Sequence, residues 1–221
     1  MLDGNWPMPF HKVMDKSAPT QPNPDNFVLC TYPHKLTTGD VKALLAQNAK
    51  AAKKRIVEFI YHRLYRRFIM PLRQIHRDYQ SGFLMMASAC LLIETLQSFY
   101  SGQNKTRRRE STKTFRTFFE REVAFFPGFA AESDSFYVNI RCGILHQAET
   151  TGGYRILRSG PLFIPATKTI NASAFIKALE ECLDDYIRRL HAAEMHDPLW
   201  HHAAEKIIFI CKNCQVEPAT V

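Results

Sequence analysis

The chain has 221 residues, which is enough for one domain of ordinary size with a sizeable buried core. A hydrophobic content of 46% excludes a natively disordered chain. The net charge of +8 is clustered, as a surface that binds a polyanion requires.

The N-terminal residues, the cysteines and the length of the apolar runs predict a cytoplasmic protein that does not span a membrane. The N-terminus lacks the charged and apolar segments of a secretory signal. Cys90 and Cys182 lie on apolar helix faces, which is typical of reduced core thiols. The longest apolar run, residues 83–93, is too short to span a bilayer, which takes about 20 residues.

The N-terminal third divides into an arm and a basic helix. Residues 1–36 carry half of the 12 prolines and predict an extended arm. A long helix is then predicted from Thr38, its N-cap, with a kink near Arg67 caused by Pro71. One face of this helix is a candidate RNA-binding ridge, although a solvated helix face is the alternative. The ridge consists of Arg63, Arg66, Arg67, Arg73 and Arg77.

The segment from Ser81 to Tyr100 is apolar almost all round and predicts a central helix. Its one carboxylate, Glu94, needs a partner or an edge position, because a buried unpaired charge is very costly. Arg141 is a candidate partner. A basic loop follows the helix and adds Arg107, Arg108 and Arg109 to the candidate RNA-binding set.

The next core helix contains Arg141 and His146, five residues apart. On a regular α-helix their directions differ by roughly 140° and their heights by about 7.5 Å, so they would not face each other. Two copies across a two-fold axis could bring them together, and Gly143 would let a second backbone approach. The structural alternative is that Arg141 pairs with Glu94 while His146 interacts with the helix dipole.

The C-terminal part begins with a predicted β-hairpin over about 153–169, turning at Ser159-Gly160. Asn171 caps the next helix, and residues 196–221 form a last helix, which opens at Asp197-Pro198, and a tail. Cys211 and Cys214 resemble half of a zinc site, with His201 and His202 upstream. No second Cys pair follows, so no metal is expected, and a zinc-stabilised interaction protein is the third interpretation.

The Arg-x4-His motif and the apolar segment Gly82–Phe99 before it resemble the HEPN superfamily, over roughly residues 38–195. The resemblance implies an all-α, HEPN-like helical bundle. In this chain the bundle would comprise residues 37–195, with the predicted β-hairpin inserted in it. It places Arg141 and His146 at the catalytic positions. Glu94, Cys142 and Gly143 are predicted to support this site. Cys142 stands where the family often has a polar residue.

The function implied by this resemblance is a metal-independent endoribonuclease of the toxin or phage-defence type. The 2′-hydroxyl would attack the adjacent phosphorus and leave a 2′,3′-cyclic phosphate, without a cofactor. The expected partners are RNA, a second copy of the chain, and an antitoxin or a nucleotidyltransferase. The alternative is a non-catalytic module that binds nucleic acid, a nucleotide or a protein.

Overall fold

The computed structural model describes residues 23–75, 79–103 and 110–214. Four residues of the predicted RNA-binding set, Arg77 and Arg107–Arg109, lie outside these ranges. The described chain is predominantly helical. Its α-helices are α1 (Thr38–Ala46), α2 (Lys50–Leu64), α3 (Met70–Arg73), α4 (Gly82–Ser101), α5 (Ser111–Arg121), α6 (Ser133–Phe136), α7 (Gly143–Gln147), α8 (Ala172–Ala192) and α9 (Pro198–Asn213).

The predicted long helix from Thr38 is wrong in two respects. The N-cap is Thr37, whose hydroxyl accepts from Asp40 N while the Asp40 carboxylate accepts from Thr37 N, a complete capping box. The helix is also broken between α1 and α2, where Asn48 adopts a left-handed φ of 47°. Asn tolerates this conformation better than most residues, and the break turns α2 back against α1.

A π-helical segment, Tyr65–Ile69, joins α2 to α3. It lies where the sequence predicts a Pro71 kink, because proline cannot donate the next backbone hydrogen bond. The hydroxyl of Ser88 on α4 donates to the Phe68 carbonyl at 3.1 Å. The irregular turn is therefore tied to the central helix.

α4 is the central helix, as predicted, and packs mainly against α8 and α9. Beside it, a cluster of phenyl rings from α5, α6 and α8 fills the core, with Phe119, Phe136 and Phe175 fully buried. By length and apolar composition α4 could cross a membrane, which holds for no other described helix. In this fold 44% of its most apolar window is buried.

The predicted hairpin over 153–169 is wrong in its pairing. β3 (Arg155–Leu157) and β4 (Phe163–Ile164) both pair with β5 (Thr169–Asn171), in the order β3-β5-β4, and β3 is parallel to β5. β5 takes the centre because its three residues are buried, whereas Leu157 and Ile164 stay exposed on the edges. The side chain of Asn171 holds the turn by donating to the Gly160 carbonyl.

Part of the predicted N-terminal arm belongs to the fold. β1 (Val28–Cys30) and β2 (Leu36–Thr37) form an antiparallel pair, and both leucines on them, Leu29 and Leu36, are buried. At the other end of the chain, α9 opens at its predicted N-cap Asp197 and buries Trp200 against the same core.

Candidate functional site

The two motif residues lie on one continuous helical stretch that is not regular. α6 and α7 flank a π-helical segment, Tyr137–Cys142, which contains Arg141. The π segment ends at Cys142 and the residues from Gly143 to His146 are α-helical, so the long Arg141 side chain extends along the helix to His146. Arg141 Nη1 lies 3.3 Å from His146 Nε2. The expectation that the two residues do not face each other applies to a regular α-helix; in this irregular stretch their side chains are in contact within one chain.

The direction of this hydrogen bond follows from the chemistry of arginine. A guanidinium has donors and no acceptor, so Nη1 donates and His146 Nε2 accepts. The proton of the neutral imidazole is thereby placed on Nδ1. His146 is exposed at the end of α7, so a ligand can reach its imidazole ring from solvent.

Glu94 pairs with Arg141, as the sequence predicts. The Arg141 Nε–H donates to Glu94 Oε1 at 2.8 Å, and the two side chains are only 18% and 22% exposed. Burial opposes the charged guanidinium, but the hydrogen bond and the charge of Glu94 outweigh it, so the pKa of Arg141 is raised. The pair fixes the guanidinium beside His146 and joins α4 to the motif helix.

Gly143 serves a purpose other than the predicted one. It is buried, and a Cβ on it would lie 2.5 Å from the Glu149 carbonyl oxygen. The backbone that approaches it is the chain's own, where α7 ends with Ala148 in a left-handed conformation, at a φ of 57°. Gly143 therefore lets the chain turn sharply after His146.

The two aromatic residues before the motif differ in position, since Phe136 lies in the core and Tyr137 lies beside Arg141. Phe136 is fully buried and packs in the phenyl cluster, so it cannot stack with a base. Tyr137 is half-buried, and its ring centroid is 5.7 Å from the Arg141 guanidinium carbon. Burial raises the pKa of Tyr137. A side-chain hydrogen bond with Cys142, the residue that follows Arg141, also raises it. Cys142 and Tyr137 therefore both lie beside the Arg141 side chain.

The predicted basic ridge is brought together only in part. Arg63, Arg66 and Arg67 line one groove, whereas Arg73 forms a salt bridge with Glu180 of α8 at 2.7 Å. The ring of Tyr32 also lines this groove, and the sequence analysis did not assign it a function. Its position in an apparently extended, Pro-rich arm concealed that the β1–β2 loop lies against α2.

The half zinc site does not assemble. His201 and His202 stand nine or more residues before Cys211 on α9, which is about 14 Å along a helix. Each histidine has another neighbour, Glu205 for His201 and the Tyr100 carbonyl for His202. No group of three metal-binding side chains exists among residues 23–75, 79–103 and 110–214.

The motif also lies apart from a large cavity that borders α3, α4 and α8. That cavity, about 670 Å³, is lined by Leu72, Met85 and the first half of α8. Arg141 and His146 are absent from its lining, and His146 lies on the exposed surface at the end of α7. An open site suits a polymer that lies along the surface.

The fold and site define a predominantly α-helical protein with a surface Arg-His pair. No family model, no curated protein and no solved structure matches the chain. Its chemistry is therefore argued from Arg141, His146 and Glu94.

Proposed function

We propose that this protein is a metal-independent endoribonuclease whose catalytic residues are Arg141 and His146. The observation that supports it is the 3.3 Å contact between Arg141 Nη1 and His146 Nε2 on an accessible surface. A cation that binds phosphate and an imidazole that carries protons are thereby placed side by side.

The proposed reaction is transesterification within the RNA strand. The 2′-oxygen forms a bond to the adjacent phosphorus, the bond from phosphorus to the 5′-oxygen breaks, and a 2′,3′-cyclic phosphate results. His146 Nε2 accepts the 2′-hydroxyl proton once its hydrogen bond from Arg141 Nη1 opens and that N–H turns to the phosphate, or His146 in its protonated form gives a proton to the leaving 5′-oxygen. Water or a second copy of His146 serves the other transfer.

Arg141 would bind the phosphate that reacts. A guanidinium has five N–H donors, and two of them point to Glu94 and His146, which leaves three for phosphate oxygens. Donors fixed before the reaction stabilise charge that develops on these oxygens without further reorganisation. Glu94 is a positioning residue in this scheme because it holds the guanidinium.

The proposal includes a homodimer. The contact within one chain removes the geometric reason for a second copy, but three exposed apolar side chains on the helices of the site support one. Leu84, Leu91 and Val138 are 58%, 44% and 56% exposed, on the same two helical stretches that carry Glu94 and Arg141. Exposed apolar patches of this kind mark interaction surfaces. An antitoxin or a nucleotidyltransferase is a further partner that we propose on the resemblance alone.

A non-catalytic, HEPN-like binding module is the second candidate. The ion pair with Glu94 favours it, because a neutralised Arg141 attracts a phosphate less strongly. Such a module would bind nucleic acid, a nucleotide or a protein with the same residues and leave RNA intact.

The dependence on the 2′-hydroxyl distinguishes the two candidates. We expect the protein to cleave a mixed-sequence RNA and to leave the 2′-deoxy strand of the same sequence intact, because the nucleophile is then missing. The 2′-deoxy strand should still bind, since the phosphates remain. Cleavage of both strands would contradict the proposed chemistry, and intact RNA with retained binding would favour the binding module.

A further inference from the structure

A groove of about 150 Å³ lies between the β1–β2 loop and α2, on a part of the surface that the Arg-His site does not include. Tyr32 and Leu29 contribute from the loop side, and Arg63, Arg66 and Arg67 from α2 and the π segment. A hydrogen bond joins the two sides of the groove, because Arg63 Nη1 donates to the Leu29 carbonyl at 2.9 Å.

The three arginines of this groove differ from most others in having no acidic partner. Within the described parts of the chain, no salt bridge involves Arg63, Arg66 or Arg67. Six other arginines pair with a carboxylate, namely Arg73, Arg116, Arg121, Arg141, Arg188 and Arg189. The acid closest in sequence, Glu58, lines an adjoining small cavity that shares Cys30 with the groove, and it forms no salt bridge with these arginines.

Arg63 is half-buried whereas Arg66 and Arg67 are exposed, so positive charge without a counter-charge is least favourable at Arg63. Burial lowers the pKa of Arg63 to about 10, and the neighbouring charge of Arg67 adds to the effect. A bound anion would offset both causes. The planar fork of arginine donors matches the oxygens of a phosphate.

Aromatic rings adjoin these arginines. Tyr32 is 48% exposed, its ring lies edge-on to His62 at 4.9 Å, and the Arg66 guanidinium lies 4.6 Å from its centroid. Tyrosine rings and guanidinium planes are the surfaces on which unpaired bases stack. The groove thus combines a phosphate-binding part with a stacking part.

We propose that this groove binds one nucleotide of a single-stranded RNA, with its phosphate on Arg66 and Arg67 and its base on Tyr32. The inference rests on the proposed function, since it assigns the RNA a binding site away from Arg141 and His146. A single strand is specified because the bases of a duplex are stacked and paired and cannot reach Tyr32.

The test measures binding apart from cleavage. The probe is a fluorescent single-stranded RNA of about ten nucleotides, with every ribose 2′-O-methylated to block attack by the 2′-oxygen. Fluorescence anisotropy at several salt concentrations gives the affinity and its salt dependence. The variants are the double substitution Arg66→Gln with Arg67→Gln, and the single substitutions Tyr32→Ala and Tyr32→Phe.

A matched control removes the same charge elsewhere. Arg116→Gln with Arg188→Gln also lowers the net charge by two, at exposed arginines that have acidic partners. We expect the groove double variant to reduce the slope of log affinity against log salt by about 0.7, since the loss of one phosphate contact on a single strand contributes about 0.7. The control should change the slope far less.

The tyrosine variants test stacking. Tyr32→Ala should weaken binding by about tenfold, while Tyr32→Phe should bind like the wild type. A duplex probe should be insensitive to both changes. Unchanged affinity and slope in all groove variants would overturn the inference, as would a control variant equal in effect to the groove variant.

The groove and the nuclease can fail separately. If the wild type cleaves RNA and the groove variants bind RNA as tightly as the wild type, the groove proposal is refuted. The ribonuclease proposal is then unaffected. Groove-dependent binding without cleavage of unmodified RNA would support the groove and refute the nuclease. Absence of RNA binding by the wild type would refute the groove.

Discussion

Glu94 and Arg141 link the middle of α4 to the π segment of the motif helix through a hydrogen bond of 2.8 Å from Nε to Oε1. This bond leaves Nη1 directed at His146, 3.3 Å away. A single carboxylate on the central helix thus positions the cation that the proposed chemistry requires.

Removal of this carboxylate should lower both stability and activity. We expect Glu94→Ala to reduce the free energy of unfolding by about 1.5–3 kcal/mol, because a half-buried guanidinium loses a charged hydrogen-bond partner. Glu94→Gln should recover part of the loss and part of the cleavage rate. Urea denaturation measures the first effect and RNA cleavage the second.

The control for Glu94 is an exposed pair. Asp134 pairs with Arg116, and both side chains are more than half exposed. Asp134→Ala should cost less than about 1 kcal/mol, because water screens such pairs. Equal losses in Glu94→Ala and Asp134→Ala would contradict the positioning role of Glu94.

The turn after His146 should not tolerate a larger residue at position 143. In Gly143→Ala, the Cβ would lie 2.5 Å from a backbone oxygen of Glu149, so the turn must shift. We expect a loss of about 1–3 kcal/mol in unfolding free energy and reduced cleavage, because His146 moves with the turn. Ala148→Gly is the matched change and should be neutral or stabilising, since a φ of 57° favours glycine. A Gly143→Ala variant as stable as the wild type would contradict this account of the turn.

The capping box of α1 predicts a dependence of stability on pH. Hydrogen bonds from the backbone N–H and then the hydroxyl of Thr37 lower the pKa of Asp40 below its ordinary 3.8. A lowered carboxyl pKa stabilises the fold above the unfolded value, and this contribution is lost as the pH falls through the folded value.

We therefore expect Asp40→Ala to cost about 0.5–1 kcal/mol at neutral pH and much less near pH 2.5. Urea denaturation of both proteins at the two pH values measures this difference. A cost that does not change with pH would mean that the Asp40 carboxylate contributes nothing as an anion.

The proposed homodimer predicts an effect of charge on the apolar patch. Leu91 is 44% exposed on α4, one turn before Glu94, so Leu91→Glu should yield a folded monomer. Ile208→Glu on α9, where the side chain is 42% exposed, is the control and should remain a dimer. Light scattering coupled to size-exclusion chromatography gives the masses. A monomeric wild type would exclude the dimer at that concentration.

The sequence predicts the later helices well because their determinants are local. Asn171 caps α8 by accepting from the backbone of Ser173 and Ala174, and Asp197 caps α9, both as expected. On the outer face of α8, Arg189 pairs with Asp185 at 2.8 Å, and Arg188 pairs with the same carboxylate. Caps and periodic apolar faces depend on neighbours along the chain.

The features that the sequence does not predict depend on distant contacts. The π segment Tyr137–Cys142, which contains Arg141, cannot be recognised from hydrophobic periodicity, because the stretch stays helical on both sides. The strand order β3-β5-β4 depends on which short strand is buried against the helices. Tyr32 reaches α2 only because β1 and β2 pair and carry its loop there.

The most direct test of the central claim is cleavage of mixed-sequence RNA in the presence of EDTA, with chemical analysis of the product ends. The proteins compared are the wild type, His146→Ala and the control His201→Ala, which alters an exposed histidine on α9. We predict 2′,3′-cyclic phosphate and 5′-hydroxyl ends from the wild type and the control, and intact RNA with a folded His146→Ala. Equal cleavage by wild type and His146→Ala, or intact RNA with all three folded proteins, would contradict the assignment of Arg141 and His146 as a ribonuclease site.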